Sequence, residues 1–162
     1  MTHAESIRAL RRSGDHEGAC ALAIELARAA SQDAETHFEA ACVHDYLGRE
    51  AQAIPFYRTA ITLGLAPEQL RSAYLGLGST YRTLGQYQLA EQVLREGLSQ
   101  FEGAAEIRAF LAMTLHNLGQ PKQAVEMLLG LLAETSADTH LRKYREAIQF
   151  YAQDIERAWP KN

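Results

Sequence analysis

An all-α fold of stacked helix pairs is what this sequence predicts, and three observations predict it. Turn glycines recur at Gly14, Gly48, Gly85 and Gly119, separated by 34, 37 and 34 residues. Alanines five positions later, Ala19, Ala53, Ala90 and Ala124, keep the same separations. Between these marks apolar residues return every three or four positions, the period of an amphipathic helix. Two independent marks with one period define an internal repeat, and a period of this size belongs to an array of supersecondary units that bury their faces on one another.

The unit is clearest from Tyr74 to Leu94. Tyr74, Leu77, Gly78 and Tyr81 fall at i, i+3, i+4 and i+7, one stripe of a helix. Leu84-Gly85 closes that helix, because glycine takes a positive φ without steric cost. Tyr87, Ala90, Leu94 and Leu98 resume the period in a second helix. Gly78 and Ala90 are small residues on apolar faces and let the two axes approach closely. This pattern resembles the tetratricopeptide repeat, the helix-turn-helix unit of about 34 residues, with Tyr in place of the usual first Trp and Glu102 where a terminal proline often stands. The resemblance implies a right-handed α-solenoid of about four helix-turn-helix repeats, approximately residues 1–33, 34–70, 71–104 and 105–138, in one domain with a C-terminal helix over 139–159. More narrowly, the chain resembles small stand-alone bacterial members of the family.

In repeat one, Ile7 and Leu10 mark a short first helix, Ser13-Gly14-Asp15 the turn, and Ala19, Ile24 and Leu26 the second helix. It is the most degenerate copy, as suits a terminal repeat with one face toward water. In repeat two, Phe38, Ala41, Val43 and Leu47 mark the first helix, with His37 and His44 at the places of Tyr74 and Tyr81. Its second helix holds Ala53, Phe56, Tyr57 and Ala60. Pro55 lies inside it, near enough to the first turn that a slight bend rather than a break is expected. The three extra residues fall between Gly64 and Arg71, and Pro67 suits a first helical position, so the next helix should start early and be the longest of its class. In repeat four, Leu111, Leu115 and Leu118-Gly119 mark the first helix. Pro121 sits in the first turn of the second, and Ala124, Val125, Leu128, Leu131 and Leu132 form its buried face. The tail reads as one long helix in which Leu141, Tyr144, Ile148, Tyr151 and Ile155 follow a 3-4 spacing. Such a stripe caps the last repeat or forms a seam with another chain, which would make a homodimer; the aromatic content of the tail, Trp159 included, keeps the second reading open.

The chain carries a net charge of −4, which argues against a nucleic-acid binder working through a general basic surface. Arg142, Tyr144 and their neighbours Lys143 and Arg145 are read as a solvated helix face. The N-terminal stretch has no apolar core of a secretory signal, and the longest apolar patch, Ala124 to Ala133, is too short to span a bilayer. Cys20 and Cys42 lie on different helices without metal-ligand spacing and read as reduced thiols. A cytoplasmic protein that contacts neither nucleic acid nor membrane is expected.

Chemistry finds little purchase. His37 and His44 are two turns apart on one helix, about 10 Å between rings at 1.5 Å rise per residue, too far to share an ion, and they occupy packing positions. Gly76 and Gly78 lie within a helix, not in a phosphate loop after a strand. No nucleophile turn or isolated carboxylate pair is present. No enzyme activity, cofactor or metal is expected.

The resemblance further implies that the first helix of each repeat lines a concave face, where another protein or peptide binds. The inward positions are Phe38, Cys42, Asp45 and Tyr46 in repeat two, Leu75, Ser79 and Arg82 in repeat three, and Phe110, Met113, His116 and Asn117 in repeat four. Aromatics that bury area beside polar groups that fix direction suit a peptide or helix. Chaperone-binding members of the family hold a terminal carboxylate with Lys and Asn. The matching positions here, Glu5, Ala9, Glu39, Ser72 and Gly76, carry neither, nor Arg, so that clamp is not expected.

Overall fold

The computed structural model describes residues 1–158 and forms ten helices and no strand among them. Four pairs come first: α1 (His3–Ser13) with α2 (His16–Ala29), α3 (Ala34–Tyr46) with α4 (Glu50–Leu63), α5 (Pro67–Thr83) with α6 (Tyr87–Gln100), and α7 (Ala105–Asn117) with α8 (Pro121–Thr135). Two short helices follow, α9 (Thr139–Arg142) and α10 (Arg145–Tyr151).

One turn chemistry joins the two helices of every pair. Gly85 has φ +74°, a left-handed conformation that costs a residue with Cβ about 1–2 kcal/mol. The next residue, Gln86, then donates its N–H to the Tyr81 carbonyl five residues back, at 2.9 Å. The bonds Asp15 to Leu10, Arg49 to His44 and Gln120 to Leu115 repeat this geometry after Gly14, Gly48 and Gly119. Carbonyls that the helix end leaves unpaired are thereby satisfied. Side chains start several helices: Thr2 and Glu5 form a reciprocal capping box on α1, and Asp15, Asp33 and Asp138 cap α2, α3 and α9.

Packing follows from small residues at the crossings. Ala19, Ala53 and Ala90 are fully buried and Ala124 nearly so. A Cβ on Gly78 would lie 2.5 Å from Leu94 Cγ, and one on Gly97 2.9 Å from Tyr74 Cβ, so α5 and α6 cross closer than side chains permit. One core runs through α3 to α8 around Leu77, Leu94, Ile107, Leu111 and Leu115. A second, around Ile7, Cys20 and Val43, ties α1 and α2 to α3, and Phe56 packs against both. From α1 to α8 each helix packs on the next, and α1, α3, α5 and α7 also contact in series, building one continuous side from the first helices.

Pro55 leaves α4 continuous from Glu50 to Leu63. The three extra residues enter before and within α5, which starts at Pro67 and, with 17 residues, is the longest helix. The tail departs from its expected form. It is not one helix over 139–159: Lys143 and Tyr144 donate to His140 and Leu141, three residues back, and the chain redirects before α10. A straight helix of that length would run about 30 Å, whereas α8 offers about 22 Å; the shorter α10 keeps its length against α8. Beyond it the Ile155 N–H donates to Glu126 at 3.2 Å, and Lys122 lies 2.6 Å from Asp154. The tail thus returns along α8 and covers part of it. Trp159 lies outside the described residues.

Candidate functional site

Polar rungs join successive first helices. Arg8 Nη2 donates to Glu35 at 2.9 Å, and Arg11 Nη1 donates to Glu39 at 2.5 Å, linking α1 to α3. The Thr80 hydroxyl donates to Asp45 at 2.9 Å, linking α3 to α5. Arg71 Nε donates to Glu106 at 2.5 Å and Arg82 Nε to Asn117 Oδ1 at 2.9 Å, linking α5 to α7. Glu39 is buried, with its side chain only 6% exposed, between the two arginines. These bonds fix the spacing of the helices before any partner arrives.

Asp45 is the central polar group. The Tyr57 hydroxyl donates to its Oδ2 at 2.8 Å and Thr80 to both oxygens. Burial pushes the carboxyl above its ordinary value, and the Tyr57 and Thr80 hydrogen bonds hold it down in part. Tyr57 reaches this position over Gly76, where a Cβ would lie 2.5 Å from the Tyr57 oxygen. Burial also raises the neighbouring Cys42 thiol to about 11, so it is protonated at neutral pH and a poor nucleophile.

The residues read as inward-facing divide into two kinds. Phe38, Cys42, Leu75 and Phe110 are half-buried and pack against the core, and Ser79 and Arg82 are half-buried as well. Tyr46, Met113, His116 and Asn117 are exposed, Tyr46 at 65%. A mainly apolar hollow of about 240 Å³ joins Arg82, Met113 and His116 to Val125 and Leu128 of α8. At the other end a hollow of about 310 Å³ is lined by Arg8, Arg11, Arg12, His16 and Tyr46. The arginines were not among the candidates, yet they stand 34 residues before Cys42, Asp45 and Tyr46. The glycine period carried back one repeat would have found them.

A further cleft of about 290 Å³ lies between α4 and α6 over Tyr74, Leu77 and Tyr81 of α5. Its floor residues are buried packing groups. His37 and His44 are buried beside Phe56, ring centroids 6.0 and 5.0 Å away, and bond the Ser31 and Ala40 carbonyls. They serve as packed histidines. In the tail, Leu141 and Ile148 are half-buried, whereas Tyr144, Tyr151 and Ile155 are exposed. Because the helix breaks at Lys143 and Tyr144, these five do not share one uninterrupted helical stripe.

The model of the tetratricopeptide repeat matches residues 34–155. The chain belongs to the tetratricopeptide repeat family. Solved structures agree with that fold. MamA is 18% identical with a TM-score of 0.68, over 90% of this chain and 91% of that one. YrrB, described as a tetratricopeptide protein with an unusual peptide-binding site, is 20% identical with a TM-score of 0.71, over 93% of this chain and 75% of that one. No curated protein matches the chain. No helix of this tetratricopeptide protein, among the described residues, is long and apolar enough to cross a membrane.

Proposed function

We propose that this tetratricopeptide protein is a non-catalytic scaffold that holds a peptide or helix of a partner protein along the groove of α3, α5 and α7. One observation carries the reading: exposed Tyr46, Met113 and His116 stand over helices that Asp45, Thr80, Arg82 and Asn117 already lock together. A rigid, pre-ordered face with adaptable side chains loses little freedom on binding. YrrB, which shares the fold, carries a peptide-binding site. Affinity capture from native lysate tests the proposal. Tyr46→Ala with Met113→Ala removes exposed area and leaves the core intact, so the variant keeps its helicity and loses the proteins that wild type retains. Equal capture by a folded double variant contradicts the groove reading.

A second reading, self-association through the last repeat, has its own support. Val125, Leu128 and Leu132 of α8 are each 42% exposed, and Tyr144 and Tyr151 add aromatic surface nearby in sequence. Apolar residues in that number on a terminal repeat suit a protein interface. On this reading Tyr151→Glu converts a homodimer into a monomer by light scattering. A wild type already monomeric at high concentration contradicts it.

A further inference from the structure

We infer that the partner segment is acidic and engages two cations of the groove, Arg12 and Arg82. The inference rests on the groove reading and names the chemistry of what the groove takes.

The charges of the first-helix side do not cancel locally. Arg8 and Arg11 face Glu35 and Glu39, Arg71 faces Glu106, and Asp45 is satisfied by two hydroxyls. Two cations are left over. The Arg12 side chain makes no hydrogen bond or ion pair among the described residues. Arg82 bonds only the neutral amide oxygen of Asn117. Both go without a carboxylate partner in a chain whose net charge is −4. A guanidinium without a carboxylate keeps donors in a planar fork that matches a carboxylate.

Each cation also lies at a hollow. Arg12 shares its own with His16, whose Nδ1 is buried without a hydrogen-bond partner, and with Tyr46, whose ring stacks on that of His16 at 4.0 Å between centroids. Arg82 borders the apolar hollow of Met113, Val125 and Leu128. One acidic side chain at Arg12, and another at Arg82 next to an apolar side chain, satisfy both. Single carboxylates fit better than a phosphate, since each site offers one uncompensated charge.

The probe is a phage-displayed library of random peptides, panned on the wild-type protein, with selected sequences remade as fluorescent peptides. Enriched peptides are expected to carry two Asp or Glu and an apolar residue. Arg12→Glu and Arg82→Gln should each weaken them by roughly tenfold. Changing one peptide acid to its amide should weaken wild-type binding by a similar factor and have little further effect on the arginine variant it pairs with. Raised salt should weaken binding as well. Enrichment of neutral or basic peptides that still depend on Tyr46 and Met113 overturns the acidic assignment and leaves the groove standing. Peptides indifferent to Tyr46 and Met113 count against both. Circular dichroism on each variant separates lost binding from lost fold, and Arg12, exposed and unpaired, gives the variant least able to disturb the fold.

Discussion

Asp45 shows how one side chain couples the first-helix side to the stability of the stack. Burial holds its carboxyl above the ordinary aspartate value of 3.8, against the hydrogen bonds of Tyr57 and Thr80. The folded chain therefore keeps this proton at a pH where the unfolded chain has released it. The stability that the group contributes is fully present below 3.8 and is lost as pH rises through the raised value. Asp45→Asn has no proton to release, and its amide oxygen still accepts from a hydroxyl. In urea unfolding, the stability of the variant relative to wild type should grow with pH across that window. A difference that stays constant with pH contradicts this account of Asp45. Its place in the repeat put the residue among the expected inward positions. Its partners were not legible, because Tyr57 and Thr80 come from two other helices and only packing brings them to it. Arg8, Arg11 and Arg12 went unread for another reason: repeat one has only Ile7 and Leu10 as apolar anchors in its first helix, too faint a stripe to fix its inward positions without the glycine offset.

At the scale of the element, Pro55 is a test of what the α4 helix tolerates. It lacks the N–H that would reach the Ala51 carbonyl, yet α4 runs unbroken and the proline ring is exposed. Exposure means that little packing is lost on replacement. Pro55→Ala should then raise stability by about 1–2 kcal/mol, less than the roughly 3 kcal/mol of a proline deep in a helix, read as a higher urea midpoint with an unchanged slope. An unchanged or lower midpoint means that the proline is matched to a bend the packing requires. Helices α1 to α8 were legible because an apolar stripe and a turn glycine recur together in each pair, although Val125, Leu128 and Leu132, read as part of the buried face of α8, are each 42% exposed. The tail was misread because the spacing of Leu141, Tyr144, Ile148, Tyr151 and Ile155 satisfies a helix without a break. What ends α9 is a pair of short-range bonds at Lys143 and Tyr144, and the return contacts of Asp154 and Ile155 with Lys122 and Glu126 hold the far end. Neither leaves a mark in the apolar period.

For the whole molecule, the period of the turn glycines carries the architecture. Identical turns orient each pair alike, small residues at each crossing set the separation, and first helices in series make one shared side. The 37-residue interval alters length rather than plan, since α5 absorbs the excess. What a repeat cannot encode is its cargo, because inward positions are the ones that the packing leaves free to vary. On the proposed function this side is where a partner sits, and the methionines report on it directly. Of the three, Met113 is exposed on α7 in the proposed groove, Met127 packs against the core from α8, and Met1 precedes α1. With ¹³C-methyl-methionine, titration of a captured partner or selected peptide should shift the Met113 methyl resonance and leave those of Met1 and Met127 in place. A saturating ligand that shifts Met127 or Met1 while Met113 stays still would contradict the groove assignment.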